Sequence, residues 1–125
     1  MPSLDDFIKS SLPIGRGNAW VKEPGFVALY VRISTRFVRK ERIEPILDLA
    51  NVQVAKPGTR VFTRLIARLC IDYPGLSLYV ESVLEPRFGE YLGRIGFEKL
   101  DPHTHGSSFL LRAYNVDNGK SARNA

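Results

Sequence analysis

The sequence predicts an α/β domain, a mixed and twisted sheet with a parallel β-α-β crossover at its centre and flanking helices. Three observations carry this. Residues 26–34 and 76–81 alternate apolar and polar side chains, as half-buried strands do. Residues 61–73 instead repeat their apolar side chains at helical spacing. The strand-like segment 46–54, that helix and the strand 76–83 follow one another as a crossover between parallel neighbours does, right-handed by the general rule. A chain of 125 residues has room for one core and not two.

The elements follow in order. Ser3 with Asp5 and Asp6 has the make-up of a helix start, a capping hydroxyl and then acids beside the positive end of the dipole. Pro13, Gly15 and Gly17 stop this helix within about three turns. In 26–34, Val27, Leu29, Val31 and Ile33 share one face, while Ala28, Tyr30, Arg32 and Ser34 share the other. Arg39-Lys40-Glu41-Arg42 reads as an exposed hairpin turn. In 46–54 the apolar residues change phase: Leu47 and Leu49 are odd, Val52 and Val54 even. One residue of slip flips a strand's faces, so a continuous strand needs a β-bulge near Ala50-Asn51. Otherwise Asn51 marks the strand's end.

After Pro57-Gly58-Thr59, the stripe Val61, Phe62, Leu65, Ile66, Leu69, Cys70 and Tyr73 places a helix at about 58–72, which Pro74-Gly75 ends. Cys70 on that stripe reads as core. Leu76, Leu78 and Val80 then alternate with Ser77, Tyr79 and Glu81. Pro86 suits the first turn of a short helix through Phe88, Tyr91, Leu92 and Ile95, closed by Gly96. Strands at 97–100 and 109–114 follow, joined by the loop DPHTHGSS. Residues 1–116 thus form a single domain, and the small, polar tail 117–125 is expected to be disordered.

Composition narrows the function classes. No apolar stretch approaches the roughly 20 residues that cross a bilayer. The opening MPSLDDFIKSS carries acids and no basic cluster, unlike a signal peptide. A lone cysteine suits a reducing compartment. The expectation is a cytoplasmic domain with no membrane partner. With 18 Lys and Arg against 13 Asp and Glu, the formal charge of +5 favours anionic partners: phosphates, nucleic acid, an acidic protein or a cofactor. There is no Walker loop, Rossmann glycine fingerprint or nucleophile elbow. His103 and His105 lack a third neighbouring ligand, so no metal site is expected.

The run GTRVFTRLIARL, then YLGRIGFEKL, in this order of elements resembles the second half of a GNAT acetyltransferase, over residues 43 to 112. Members of that family have a bulged strand and then a turn of the form R/Q-x-x-G-x-G/A opening a helix. A strand, a helix carrying N-x-x-A-x-x-x-Y and the ending G-F follow. Arg94-Ile95-Gly96-Phe97-Glu98-Lys99 is the closest match. The resemblance implies a single-domain GNAT-like fold and an acetyl-CoA-dependent N-acyltransferase acting on an amine. Its cofactor would lie against Val52 and Val54 past the bulge, and against Gly58, Thr59, Arg60, Val61, Phe62 and Arg64 at the helix start. There, outward-pointing amides and the dipole favour pyrophosphate. Backbone opened by the bulge would pair with the pantetheine arm. Tyr91 is the candidate proton donor and Glu81 the candidate base. The variable N-terminal part that sets the acceptor is short here, which leaves that side open or completed by a second subunit, as in a homodimer.

The chain also departs from the family pattern. Pro57 stands where Arg or Gln is usual, Arg60 replaces the first glycine of the turn and Phe62 its final Gly/Ala. Leu92 falls on the usual Tyr position with Tyr91 one residue early, and Glu85 on the Asn. These departures support an alternative, a catalytically inactive GNAT-fold protein that contacts a protein or nucleic acid. Arg60, Arg64 and Arg68 recur at intervals of four and form one ridge, which is either an anion site or a solvated face. Glu81 reads equally as an exposed or ion-paired carboxylate, Tyr91 as helix packing, and Trp20 as packing at the sheet edge.

Overall fold

A long hairpin supplies the backbone of the sheet. β2 (Phe26–Val38) and β3 (Glu41–Val54) pair antiparallel and turn at Arg39-Lys40, both at positive φ (49° and 71°), as a tight two-residue hairpin turn requires. This is a computed structural model, and it describes residues 1–83, 86–100, 106–115 and 120–121. Before the hairpin come α1 (Leu4–Ser11) and a short edge strand, β1 (Gly17–Trp20). After it come α2 (Val61–Asp72), β4 (Ser77–Val83), α3 (Pro86–Arg94), β5 (Glu98–Lys99) and β6 (Ser107–Leu111). The sheet order is β1-β2-β3-β4-β6-β5. β4 pairs parallel to β3 through the α2 crossover, with Ile46 opposite Ser77 and Leu49 opposite Val80. All other neighbours are antiparallel, so the sheet is mixed as expected. Two further short strands, β7 (Tyr114–Asn115) and β8 (Lys120–Ser121), pair with each other.

Alternation sorts the strands' side chains into two layers. Leu29, Val31, Ile33, Leu47, Leu49, Leu78, Val80, Phe109 and Leu111 join Leu4, Phe7 and Ile8 of α1, Phe62, Leu65, Ile66 and Leu69 of α2, and Leu92 of α3 in the main core. All three helices therefore pack on one face of the sheet. A smaller cluster, Val38, Ile43, Ile46, Tyr79 and Leu110, lies on the opposite face. The Ser3 hydroxyl caps α1 by accepting from the Asp6 amide at 3.1 Å. Cys70 and Tyr73 are half-buried against the main core.

The bulge falls at Ala50. Tyr30 pairs with Asn51 and Val31 with Leu49, which leaves Ala50 as the extra residue. It keeps Leu47 and Leu49 on the helix face together with half-buried Val52 and Val54, and Val52 packs on the main core.

Several expectations need correction. β1 was not anticipated. Val27 is 65% exposed instead of sharing the buried face, because the ladder slips between Phe26 and Ala28. The last strand of the six-stranded sheet is Ser107–Leu111, not 109–114: Arg112 turns away to Glu98 and Glu41, and the Ala113 amide donates to the Ser77 hydroxyl. β5 spans Glu98–Lys99 alone. The crossover helix begins at Val61, because Arg60 takes a left-handed conformation (φ 60°, ψ 21°) that ends the preceding turn. His103, His105 and Glu85 lie outside the described residues, as do 116–119 and 122–125 of the tail.

Candidate functional site

Where β3 and β4 part company, a cavity opens on the helix side of the sheet. The parallel ladder ends at Leu49 and Val80, one residue before the bulge, and β3 runs on to Val54 without β4 beside it. The cavity there has a volume of about 460 Å³. Val52 and Val54 form its strand wall, the turn from Lys56 to Arg60 its lip, and Val61, Phe62 and Thr63 its helix wall; Phe88 and Tyr91 of α3 close it.

Local chemistry explains why the lip stands open. Gly58 takes φ 85°, with nothing within 4 Å of where a Cβ would sit. The Thr59 hydroxyl donates to the Lys56 carbonyl at 2.6 Å and ties the turn to itself. Gly25 of the β1–β2 connection meets the far side of the same turn. A Cβ there would lie 2.7 Å from Val61 Cγ1, and the Ala55 amide donates to the Gly25 carbonyl at 2.9 Å. The helix start is thereby pressed against the sheet while its own amides stay uncapped. The first helical amide with a partner is that of Arg64, bonded to the Arg60 carbonyl at 3.0 Å, and no side chain caps the earlier ones. No acid lies in the first turn. Among the described residues, no carboxylate pairs with Lys56, Arg60 or Arg64.

Three aromatic rings back the cavity. Phe62 meets Phe88 edge-on at 5.6 Å between centroids and Tyr91 at 6.4 Å, while Phe88 and Tyr91 stack at 6.1 Å. Phe62 is 8% exposed and belongs to the main core, so its ring points inward and leaves the lip clear. The Tyr91 hydroxyl is hydrogen-bonded to the Thr63 hydroxyl. Leu92, the next residue, is fully buried, and Arg94 lies over the Tyr91 ring at 6.0 Å.

Of the candidate residues, Val52, Val54, Gly58, Thr59, Arg60, Val61, Phe62 and Tyr91 thus meet around one cavity. Arg64 and Glu81 do not. Arg64 donates to the Thr59 carbonyl at 2.8 Å and lies in a separate groove with Glu23, Pro24 and Phe26; it braces the lip from behind. Glu81 alternates with the core residue Val80 and so faces the opposite side of the sheet, where Arg32 and Arg36 hold both its oxygens. The arginine ridge is also broken. Arg68 is spent on Asp5 at 3.0 Å and Glu23 at 3.2 Å, and only Arg60 and Arg64 stay near the lip.

The sequence reading missed Phe88 and Thr63 as wall residues. The spacing of Phe88 and Tyr91, three apart on one helix, was the available signal for Phe88. It also missed the polar cluster of Arg32, Arg36, Asp48 and Glu81, for which a lone acid inside the apolar run Ile46-Leu47-Asp48-Leu49 was the clue. Among the described residues no three His, Cys, Asp or Glu side chains gather as a metal site, and no helix is long and apolar enough to cross a membrane. Comparison with known proteins finds no matching family model, no matching curated protein and no matching solved structure.

Proposed function

We propose that the cavity binds a coenzyme A thioester and that the domain is an acetyl-CoA-dependent N-acyltransferase of the GNAT type. One observation carries the reading: the bulge at Ala50, the uncapped start of α2 and the Tyr91 hydroxyl surround a single cavity. The amides of Val61, Phe62 and Thr63 suit a pyrophosphate, with Lys56 and Arg60 adding positive charge. Arg60 stands where the family carries glycine, yet its backbone takes the left-handed conformation that glycine would supply. The inward ring of Phe62 likewise removes the obstruction its size suggests. Strand β3 past the bulge offers backbone groups to a pantetheine arm. The thioester supplies an activated acyl group, and Tyr91 is placed in the cavity to give a proton to a leaving thiolate.

A second reading, a GNAT-fold domain without catalysis that contacts a protein or nucleic acid, is favoured by Glu81. That carboxylate is turned from the cavity and held by two guanidiniums, so it cannot reach an acceptor amine there. Calorimetry with acetyl-CoA separates the two: micromolar binding supports the acyltransferase, and no binding at millimolar concentration supports the second reading.

A further inference from the structure

The sheet face away from the helices carries an aromatic pair that the proposed function leaves unused. Trp20 lies between Ala19 and Val21, which turn to the main core, so its indole points to this face. Tyr30, between the core residues Leu29 and Val31, points the same way. The two are cross-strand partners with ring centroids 5.1 Å apart, and Trp20 is still 48% exposed. Asn18 steadies the pair by accepting from the Tyr30 hydroxyl at 3.0 Å. Asn51, opposite Tyr30 on β3, and Gln53 beyond it extend the face. Their exposed side-chain amides have no hydrogen-bond partner among the described residues.

Positive charge accompanies the rings. From Arg16 to Lys40 the only acid is Glu23, and Arg68 takes it. Asp48 and Glu81 match Arg32 and Arg36. Arg16 and Lys22, exposed cations that flank β1, have no carboxylate partner among the described residues. Rings to stack on, free amides and surplus cations together complement a polyanion that carries flat, hydrogen-bonding rings. A neutral sugar would cover the indole but leave that charge unanswered, and a duplex keeps its bases stacked on one another.

We infer that this face binds single-stranded nucleic acid, a base stacked on Trp20 beside Tyr30, base edges at Asn51 and Gln53, and phosphates at Arg16 and Lys22. The face lies across the sheet from the cavity, so the inference holds whether or not coenzyme A binds there.

Trp20 is the sole tryptophan, so its fluorescence reports directly on the pair. The test titrates the intact chain with oligothymidylate of about twelve nucleotides and follows quenching together with the anisotropy of a labelled strand. Binding should quench Trp20, weaken as salt rises from about 50 mM to 200 mM, and exceed the affinity for a duplex of equal length about tenfold. Trp20→Ala should weaken binding roughly tenfold or more, and Trp20→Phe, which keeps a ring, less than about threefold. Lys22→Glu, with an expected loss of about fivefold, serves if Trp20→Ala does not fold. Binding without quenching, equal affinity for the duplex, or unchanged binding by Trp20→Ala would reduce the interaction to charge alone and overturn the assignment to this face. Quenching by maltohexaose but not by the oligonucleotide would give the rings to a sugar instead. No binding of the strand would overturn the inference outright.

Discussion

Arg32 and Asp48 sit directly opposite each other in the β2–β3 ladder, with Arg32 Nη2 3.0 Å from Asp48 Oδ2. Arg36 reaches the same oxygen at 3.0 Å, and both guanidiniums extend to Glu81 on β4. Four charges thus tie three strands together on the sheet face away from the helices. Asp48 is wholly buried, yet its Oδ1 has no hydrogen-bond partner, and neither has the Nε of Arg32 or of Arg36. Arg36 also lies over the Tyr79 ring at 4.1 Å. Burial first and the nearby Glu81 second push the Asp48 carboxyl above the usual carboxylate range, against the pull of Arg36 and Arg32. The cluster holds Glu81 on the sheet face away from the cavity.

Asp48 should leave a signature in stability against pH. Its folded-state pKa lies above the ordinary aspartate value of 3.8, so the folded protein binds this proton more tightly than the unfolded chain does. The cost of keeping Asp48 ionised is therefore full above the folded pKa. It shrinks as pH falls toward 3.8 and is absent below it. Urea unfolding of Asp48→Asn should lack this component, so the variant loses ground to the parent as the buffer is acidified from pH 7 to pH 4. Asp48→Ala, which strips both guanidiniums of their shared acceptor, should cost about 1–3 kcal/mol at pH 7. A parent and an Asn variant whose profiles stay parallel over that range would contradict the assignment.

Tyr73 works in the opposite, alkaline range. Its hydroxyl donates to Asp5 Oδ1 at 2.8 Å, on the seam where Arg68 also joins α2 to α1. Burial first, then this hydrogen bond, pushes its pKa up to about 12 from 10.0. The stabilisation is complete below pH 10 and is lost as pH rises through about 12. Tyr73→Phe should cost about 1 kcal/mol at pH 7, a modest figure because Asp5 is partly exposed. It should also remove this part of the parent's alkaline loss, which denaturant titrations at pH 9 and pH 11 would show.

The fold was legible because each element carried its own period. The odd-to-even slip between Leu49 and Val52 announced the bulge, and the stripe from Val61 to Tyr73 announced the crossover helix. β1 was hidden because Gly17-Asn18-Ala19-Trp20 holds no β-branched residue and is only four residues long. Partners were hidden for a different reason. The ridge of Arg60, Arg64 and Arg68 told which side chains share a face, but not that Asp5 and Glu23, 63 and 45 residues away, take Arg68. The charge cluster likewise draws Arg32 and Glu81 from 49 residues apart. Periodicity is local, whereas pairing across a sheet or between helices depends on topology.

Phe62 tests whether the helix start depends on glycine-like openness or on a packed ring. The side chain is buried among core residues and against Phe88, so Phe62→Gly should cost roughly 4 kcal/mol, combining the lost ring with glycine's helix penalty. Because the ring already points inward, the variant should bind acetyl-CoA no better than the parent. Tight binding gained with little loss of stability would mean that the ring obstructs the lip, and that the natural protein is a non-catalytic relative.

Deleting Ala50 is the most direct test of the bulge, because one residue separates the bulged strand from a regular one. The extra residue lets Val52 pair with Leu29 while Leu49 pairs with Val31, so both apolar pairs face the helices. Without it, Leu49, Asn51, Val52, Gln53 and Val54 alternate regularly, so Val52 and Val54 still face the helices but the bulge beside the end of the β3–β4 ladder is gone. Backbone groups that the bulge leaves unpaired would then be drawn into the regular β2–β3 ladder and lost to a ligand. The deletion should therefore weaken acetyl-CoA binding at least tenfold while the denaturant midpoint moves little. Ala50→Ser keeps the residue count and so the bulge, and should preserve both properties. A deletion variant that binds acetyl-CoA as the parent does would contradict this account. The bulge would then have no part in shaping the cavity.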